Sequence, residues 1–156
     1  MPGLPLMIAS LRQGVLIDSV RKKAIAVTGL VEEMGLSNRV QVEGVRAEDY
    51  AEQNPGRFSV VVARAVAPLP SLVELAAPLL KKNGVLIALK GSPQPAELEA
   101  GARAAKRVGM RLDSSRALTL PGSRAEKRTI LVYRKVGEPS IRLPRRVGLA
   151  QSAPLG

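Results

Sequence analysis

Charged side chains directly follow three apolar runs of this chain, at positions where binding chemistry is often found. Asp18 follows the run GVLI, Arg64 follows FSVVVA and Lys90 follows GVLIAL. A carboxylate after a strand commonly receives the ribose hydroxyls of an adenosine-containing cofactor. A guanidinium or ammonium group can hold a phosphate. The three positions are therefore candidates for a ligand-binding site at the strand ends.

Each of these residues also has a simpler interpretation. Asp18 or Ser19 is favoured as the cap of the following helix, and position alone does not separate a cap from a cofactor ligand. Arg64 and Lys90 can also be ordinary cations at strand ends. The same applies to Arg128, which opens the last strong strand. Two cations on neighbouring strand ends nevertheless favour a site over coincidence.

Two polar stretches also allow both a structural and a functional interpretation. VRKK at 20–23 is typical of a solvated helix face. RAED at 46–49 is typical of a helix start, where Glu48 and Asp49 interact favourably with the helix dipole. In the functional alternative, the backbone of this second stretch and Glu48 line an adenine pocket.

The composition excludes several kinds of catalytic site and indicates the charge of the partner. The chain has no cysteine and no histidine, which excludes disulfides and Cys–His or Ser–His catalysis and disfavours a transition-metal site. Its formal net charge is +11, which favours a nucleic acid as partner, with an anionic membrane surface a distant second. Because the only aromatic residues are two tyrosines and one phenylalanine, phosphate and guanidinium contacts are favoured over base stacking.

The hydropathy pattern favours a cytoplasmic protein. No apolar run approaches the ~20 residues that are needed to span a bilayer. Residues 1–10 also lack the basic start of a secretory signal.

The elements that must position these residues alternate between strand and helix patterns. Strands are predicted at 14–18, 39–43, 58–63, 84–89, 111–119 and 128–134, the last two separated by a turn at Pro121–Gly122. Helices are predicted at 20–35, 47–53, 69–80 and 95–108. This alternation predicts a parallel sheet covered by helices, with ligands beyond the carboxyl ends of the strands. The runs at 58–63 and 84–89 are typical of strands buried on both faces.

The order of motifs along the chain resembles one known family. The motifs are PGLPLMIA, LIDSVRKKAIAV, RAED, VVVARAVAPL, PLLKKNGVLIALKG and KRTILVYRKV, with a late PRRVG. They are similar to those of the bacterial small-subunit ribosomal RNA methyltransferase G family, also called the glucose-inhibited division protein B family. The resemblance runs from about Pro2 to Pro154, and the combination of DS…K, ARA and LKG is specific to this family.

The resemblance implies a Rossmann-like class I S-adenosylmethionine-dependent methyltransferase fold over 1–136. Residues 137–156, which are basic and contain Pro, Gly and Ser without periodicity, are expected to form a mobile or loosely docked tail. In the family, the PGLPL turn ends a glycine-rich loop that follows the central first strand. We therefore expect an N-terminally truncated family member that lacks this strand and loop.

The resemblance also implies a cofactor, a substrate and a role for each matching residue. S-adenosylmethionine is expected as methyl donor without a metal, and 16S ribosomal RNA in the small subunit as substrate of a monomeric enzyme. Donor-binding roles fall on Gly3, Asp18, Ala47, Glu48 and Arg64. Catalytic roles fall on Arg64, Lys90 and Arg128. RNA-binding roles fall on Lys22, Arg46, Arg145 and Arg146.

The family's product, guanine methylated at N7, agrees with the composition. This nitrogen offers a lone pair and carries no proton in the paired tautomer, so attack on a sulfonium methyl needs alignment rather than a general base. A chain without histidine or cysteine loses nothing in such a reaction. Two alternatives remain open: a non-catalytic RNA-binding remnant of such an enzyme and, far weaker, a nicotinamide-dependent domain without its glycine fingerprint.

Overall fold

Helices and strands alternate along the chain, as the sequence pattern predicts. The structure is a computed structural model that describes residues 2–121 and 126–156. Gly122 of the predicted turn lies outside this range. The elements are α1 (Gly3–Ala9), β1 (Gly14–Ile17), α2 (Arg21–Glu33), β2 (Val40–Glu43), α3 (Ala47–Gln53), β3 (Phe58–Arg64), α4 (Leu69–Ala76), β4 (Leu80–Lys90), α5 (Pro95–Arg107), β5 (Met110–Thr119), β6 (Lys127–Lys135) and α6 (Leu149–Ser152).

The larger sheet has four strands in the order β3-β4-β6-β5. β3 is parallel to β4, whereas β6 is antiparallel to both of its neighbours. Three of the four strands therefore run in one direction, which confirms the expected mostly parallel sheet with flanking helices. Because β6 runs in reverse, its first residues lie at the edge where β3 and β4 end. Lys90 of β4 pairs with Thr129, the neighbour of Arg128.

The smaller sheet consists of β1 and β2, which are parallel and in register from Gly14 with Val40 to Ile17 with Glu43. Within 2–121 and 126–156, the second edge of β1 and the outer edge of β3 pair with no strand. Side chains from both strands nevertheless reach one apolar cluster under α3. The buried residues of this cluster are Tyr50, Ala51 and Leu79, and Val15, Ile17, Phe58 and Val61 pack against them.

The main core lies between the larger sheet and helices α4 and α5. Its completely buried side chains include Leu69, Val73, Leu80, Leu86, Leu131 and Tyr133. Burial of each such leucine or valine contributes roughly 1.5–3 kcal/mol relative to exposure. Helices α4 and α5 approach closely at Gly101, where an added Cβ would lie 3.0 Å from the Cβ of Leu69. This core fixes β4 and β6, and therefore the strand ends that carry Lys90 and Arg128.

Two local predictions are wrong. Helix α4 ends at Ala76 rather than at residue 80, because Leu80 already pairs with Phe58 as the first residue of β4. Pro78, which lacks an N–H, separates the two elements. Strand β3 is not buried on both faces, since Val60 is 41% exposed beside the unpaired edge.

The C-terminal segment is packed against the domain, which differs from the expected mobile or loosely docked tail. Ala150 and Leu155 are buried, and Ile141 and Leu143 pack against the main core. The Ser140 N–H donates to the Arg107 carbonyl at 2.8 Å. Apolar contacts spaced along the segment provide the burial that its aperiodic sequence did not indicate.

The helices in the described part of the chain are all too short or too polar to cross a bilayer.

Candidate functional site

The predicted site residues lie at the ends of strands in both sheets. In the smaller sheet, Asp18 follows β1, and Arg46 immediately precedes α3 after β2. In the larger sheet, Arg64 ends β3, Lys90 ends β4 and Arg128 lies near the start of the antiparallel β6. The structure thus brings Arg64 and Lys90 to one edge, as the sequence predicts. The reversed direction of β6 brings Arg128 to the same edge, which a purely parallel sheet would not.

Asp18 forms a local turn rather than a cap within α2. Its Oδ1 accepts a hydrogen bond from the Val20 N–H at 2.9 Å, and Val20 precedes the first residue of the helix. The backbone N–H of Asp18 donates to the Glu43 carbonyl at 3.1 Å, which ties the residue to the end of β2. Oδ2 accepts no hydrogen bond from any group that the structure describes. This half-buried carboxylate therefore retains an oxygen that can accept from a hydroxyl.

Helix α3 begins with the predicted adenine-pocket pair. Ala47 is half-buried and Glu48 is buried, with an exposed fraction of 7%. Glu48 Oε1 accepts a hydrogen bond from the Gly148 N–H at 2.9 Å. Arg46, the residue before the helix, is exposed. The carboxylate of Glu48 is thus held by the C-terminal segment, a contact that sequence reasoning missed.

Arg64 is an exposed residue at a strained end of a strand. Its side chain makes no hydrogen bond or ion pair with the residues in 2–121 and 126–156. Ala65, which follows it, has a φ of 52°, a left-handed conformation that costs a non-glycine residue on the order of 1 kcal/mol or more. Val66 is 54% exposed. A free cation beside a strained backbone is typical of a ligand-binding edge.

Lys90, unlike Arg64, is anchored to the protein. Its Nζ lies 2.7 Å from Glu97 Oε1 and donates to the Ala67 carbonyl at 3.3 Å. Glu97 Oε1 also accepts the Leu69 N–H at 3.0 Å, so one carboxylate joins the end of β4 to the starts of α4 and α5. Lys90 thereby fixes the loop that follows Arg64. Glu97 was not predicted, because an acid in the first turn of a helix ordinarily indicates only a dipole contact.

The Glu97 carboxyl contributes pH-dependent stability. Burial alone would raise the pKa of Glu97, but hydrogen bonds from Lys90 and Leu69 and the Lys90 charge lower it below the ordinary 4.5. A group with a lowered folded-state pKa stabilises the fold above its unfolded-state pKa, and this stability is lost as the pH falls through the lower value.

We therefore expect Glu97→Gln to lower the unfolding temperature at pH 7 and to have a much smaller effect near pH 3. Thermal unfolding of both proteins between pH 3 and pH 7 measures this difference. Glu99→Gln, an exposed change on the same helix, is the matched control. A Glu97→Gln penalty that is equal at both ends of the pH range would contradict the assignment.

Three further predicted cations are accessible to solvent. Arg128 is 42% exposed at its side chain and contacts Glu126 and the Lys127 carbonyl. Lys22 on α2 and Arg146 in the C-terminal segment are exposed. All three present positive charge to solvent, which the proposed RNA contact requires.

Arg145 is placed differently from the prediction. Its guanidinium donates to both carboxylate oxygens of Glu74, at 2.6 Å and 2.7 Å, and the Glu74 side chain is only 3% exposed. A guanidinium in a bidentate, buried pair is not available to a phosphate. Arg146, the next residue, is exposed. The motif alone could not indicate which of the two arginines is paired with a carboxylate.

Gly3 is explained by packing. It opens α1, and an added Cβ would lie 2.3 Å from Leu16 Cδ2, so a side chain at this position would require the Leu16 side chain to move. The helix lies along β1 with Gly3 beside Leu16 and Met7 beside Gly14. The first residue of α1 is therefore directed to the end of β1 that carries Asp18.

In the described residues, no cluster of three or more acidic side chains has the geometry to hold a metal ion.

The order of these elements can be compared with known proteins. The family model described as rRNA small subunit methyltransferase G matches residues 1–130. The chain belongs to this family. The ribosomal RNA small subunit methyltransferases G of Deinococcus deserti and Deinococcus radiodurans are 42% and 44% identical over 99% of this chain. The chain spans 64% and 61% of the length of these two relatives.

Solved structures that resemble this family member show the same fold. A SAM-dependent methyltransferase from Methanosarcina mazei has a TM-score of 0.64 at 12% identity, over 87% of each chain. An O-methyltransferase from Bacillus cereus in complex with SAH has a TM-score of 0.56 at 21% identity, over 79% of this chain and 63% of its own. The expected Rossmann-like methyltransferase fold is therefore confirmed.

Proposed function

We propose that this chain carries the donor-binding and RNA-contacting edge of an S-adenosylmethionine-dependent enzyme that methylates guanine N7 in small-subunit (16S) ribosomal RNA. The observation that carries the proposal is the arrangement of strand ends in a member of the methyltransferase G family. A carboxylate with an uncommitted oxygen ends β1, and three cations lie where β3 and β4 end and β6 begins. Acceptors for a ribose and donors for an anionic, acceptor-rich nucleic acid are thus present on one fold.

The donor side is formed by the smaller sheet. Asp18 Oδ2 would accept a ribose hydroxyl, while its Oδ1 stays bonded to the Val20 N–H. The Ala47 backbone and Glu48 would border the adenine, and Gly3 would face the methionine end. S-adenosylmethionine supplies an electrophilic methyl group when bound, and these residues fit its polar groups without a metal.

The nucleic-acid side is formed by the larger sheet. Arg64 would donate to the O6 and N7 edge of the guanine or to a phosphate, because guanidinium groups fit both acceptors. Arg128 lies at the same edge on β6, two strands from Arg64. Lys90 holds the loop that follows Arg64 through the Ala67 carbonyl. Lys22, Arg46 and Arg146 would meet phosphates farther out. No residue is required to remove a proton, which suits a site built from arginine and lysine.

A second candidate function is RNA binding without catalysis. It is favoured by the unpaired edges of β1 and β3, between which the described residues supply no strand. The net charge of +11 would maintain salt-sensitive binding to RNA whether or not the donor site is complete. Donor affinity distinguishes the candidates, since only an enzyme needs it.

We further propose a monomer that acts in the cytoplasm on the small ribosomal subunit.

Asp18→Ala tests the donor site. The change removes the acceptor for the ribose hydroxyl, and we expect donor affinity to fall about tenfold to a hundredfold, the loss of one hydrogen bond to a charged group at roughly 1.5–3 kcal/mol. The accompanying loss of stability should be close to the ~1 kcal/mol of one lost hydrogen bond between a side chain and the backbone. Titration of the donor followed by NMR measures the affinity even when binding is weak.

Ser19→Ala is the matched control, because Ser19 is adjacent and exposed. Unchanged donor affinity in Asp18→Ala, with the control also unchanged, would return Asp18 to a purely structural role.

A further inference from the structure

The motif PRRVG in the C-terminal segment bridges two helices of the domain. Arg145 Nε and Nη2 donate to the two carboxylate oxygens of Glu74 on α4, at 2.6 Å and 2.7 Å. Nη2 also donates to the Ala153 carbonyl at 2.8 Å, beyond the short helix α6. Three hydrogen bonds from one guanidinium thus fix both ends of the turn that contains residues 145–153.

The second contact of this turn reaches the proposed donor site. Gly148 has a φ of 82°, a left-handed conformation that glycine adopts without strain. In this conformation its N–H donates to Glu48 Oε1 at 2.9 Å. Glu48 is 7% exposed, so its carboxylate needs a partner in the protein. The order of residues in PRRVG therefore gives an anchor at Arg145 and a hydrogen-bond donor at Gly148.

The burial of Glu74 and Glu48 makes the two contacts interdependent. Glu74 lies on the fully buried α4, and a buried carboxylate is stable only with a well-aligned cation. In the described part of the chain, no other side-chain hydrogen bond joins residues 145–148 to α4, and the remaining contact of the turn with this helix is the packing of α6. Without the guanidinium, Gly148 would be held at Glu48 only by this packing and by its own hydrogen bond.

We propose that Arg145 is a positioning residue for the donor site, acting through Gly148 on the Glu48 carboxylate. The inference rests on the proposed function, in which Glu48 borders the adenine. It reassigns the two adjacent arginines of PRRVG: Arg145 orders the pocket, whereas the exposed Arg146 is the one available to RNA.

The test uses residues 1–156 with isotope labelling and two NMR readouts. The first is amide hydrogen exchange at Gly148, which needs no donor. The second is titration with S-adenosylmethionine. In Arg145→Ala we expect exchange at Gly148 to accelerate and the donor Kd to rise, each about tenfold, the effect of losing one hydrogen bond to a carboxylate. Arg142→Ala, an exposed loss of the same charge in the same segment, should change neither.

A conservative variant covers the case in which Arg145→Ala does not fold. Arg145→Lys keeps the charge but cannot donate from a planar fork to both oxygens of Glu74. Its Gly148 exchange rate and its donor Kd should both lie between those of the unaltered chain and those of Arg145→Ala.

The outcomes separate this inference from the proposed function. Accelerated exchange together with weaker donor binding supports the positioning role. Unchanged exchange at Gly148 overturns it, whatever happens to donor binding. Accelerated exchange with an unchanged donor Kd also overturns it, because Glu48 would then not need the contact. If the unaltered chain binds no donor at all, the proposed donor site itself is contradicted, and the positioning role falls with it.

Discussion

Joining residues 1–156 to an N-terminal strand and glycine-rich loop from another family member is expected to tighten S-adenosylmethionine binding at least about a hundredfold, ~2.7 kcal/mol. The family resemblance places this strand in the middle of the sheet, next to the strands GVLID and FSVVVA. In the structure these are β1 and β3, and each has an edge that pairs with nothing in 2–121 or 126–156. An added strand would satisfy both rows of backbone groups.

The loop, rather than the strand, is expected to supply most of the gain in donor affinity. Backbone N–H groups at a helix start attract the charged end of a ligand. The loop would lead into α1, whose first residue Gly3 already lies beside Leu16 near the end of β1. The donor's methionine end would thereby gain contacts that Asp18 and Glu48 cannot supply.

The matched control carries the same added strand with the loop glycines replaced by valine. It retains the pairing of β1 and β3 but blocks close approach of the backbone to the donor. We expect this control to be more stable than residues 1–156 yet to bind the donor little better. Equal donor affinity in all three proteins would contradict a donor site that includes the loop.

Arg64→Ala in the extended protein is expected to abolish methyl transfer with almost no loss of stability. The side chain is exposed and contacts no partner that the structure describes, so the unfolding free energy should change by about 0.5 kcal/mol or less. The loss of transfer should exceed about a hundredfold, because a mispositioned reacting group costs this much.

Arg116→Ala is the control for Arg64→Ala, since Arg116 is an equally exposed arginine on β5. Transfer by this control should remain near that of the unaltered protein. Lys90→Ala is a less decisive variant, because the loss of the 2.7 Å ion pair with Glu97 should also lower stability. A stability loss in Arg64→Ala as large as that of a core variant would show that Arg64 serves the fold instead.

The sequence predicts those parts of the site that depend on local pattern. Apolar runs identified β3 and β4, and the residues after them, Arg64 and Lys90, lie at one edge as expected. The exposure of Val60 was not predictable, since whether a β-branched run is covered depends on strands distant in the chain.

The parts that could not be predicted depend on tertiary contacts between distant segments. Glu97 accepts a hydrogen bond from the Leu69 N–H, 28 positions earlier, so its place beside Lys90 at the start of α4 is not visible in the local sequence. Arg145 lies 71 positions from its partner Glu74, and no local signal distinguishes it from Arg146. The docking of residues 137–156 follows from the same long-range contacts, which an aperiodic segment does not reveal.

The most direct measurement is transfer of a labelled methyl group to small ribosomal subunits. The extended protein, residues 1–156 and extended Arg64→Ala should be assayed side by side, and the labelled nucleoside identified after RNA digestion. We expect N7-methylguanosine from the extended protein, none from the arginine variant, and none from residues 1–156, which should still bind RNA in a salt-sensitive manner. A label on another atom or base, or no transfer by an extended protein that binds the donor tightly, would contradict the proposed guanine-N7 methyltransferase.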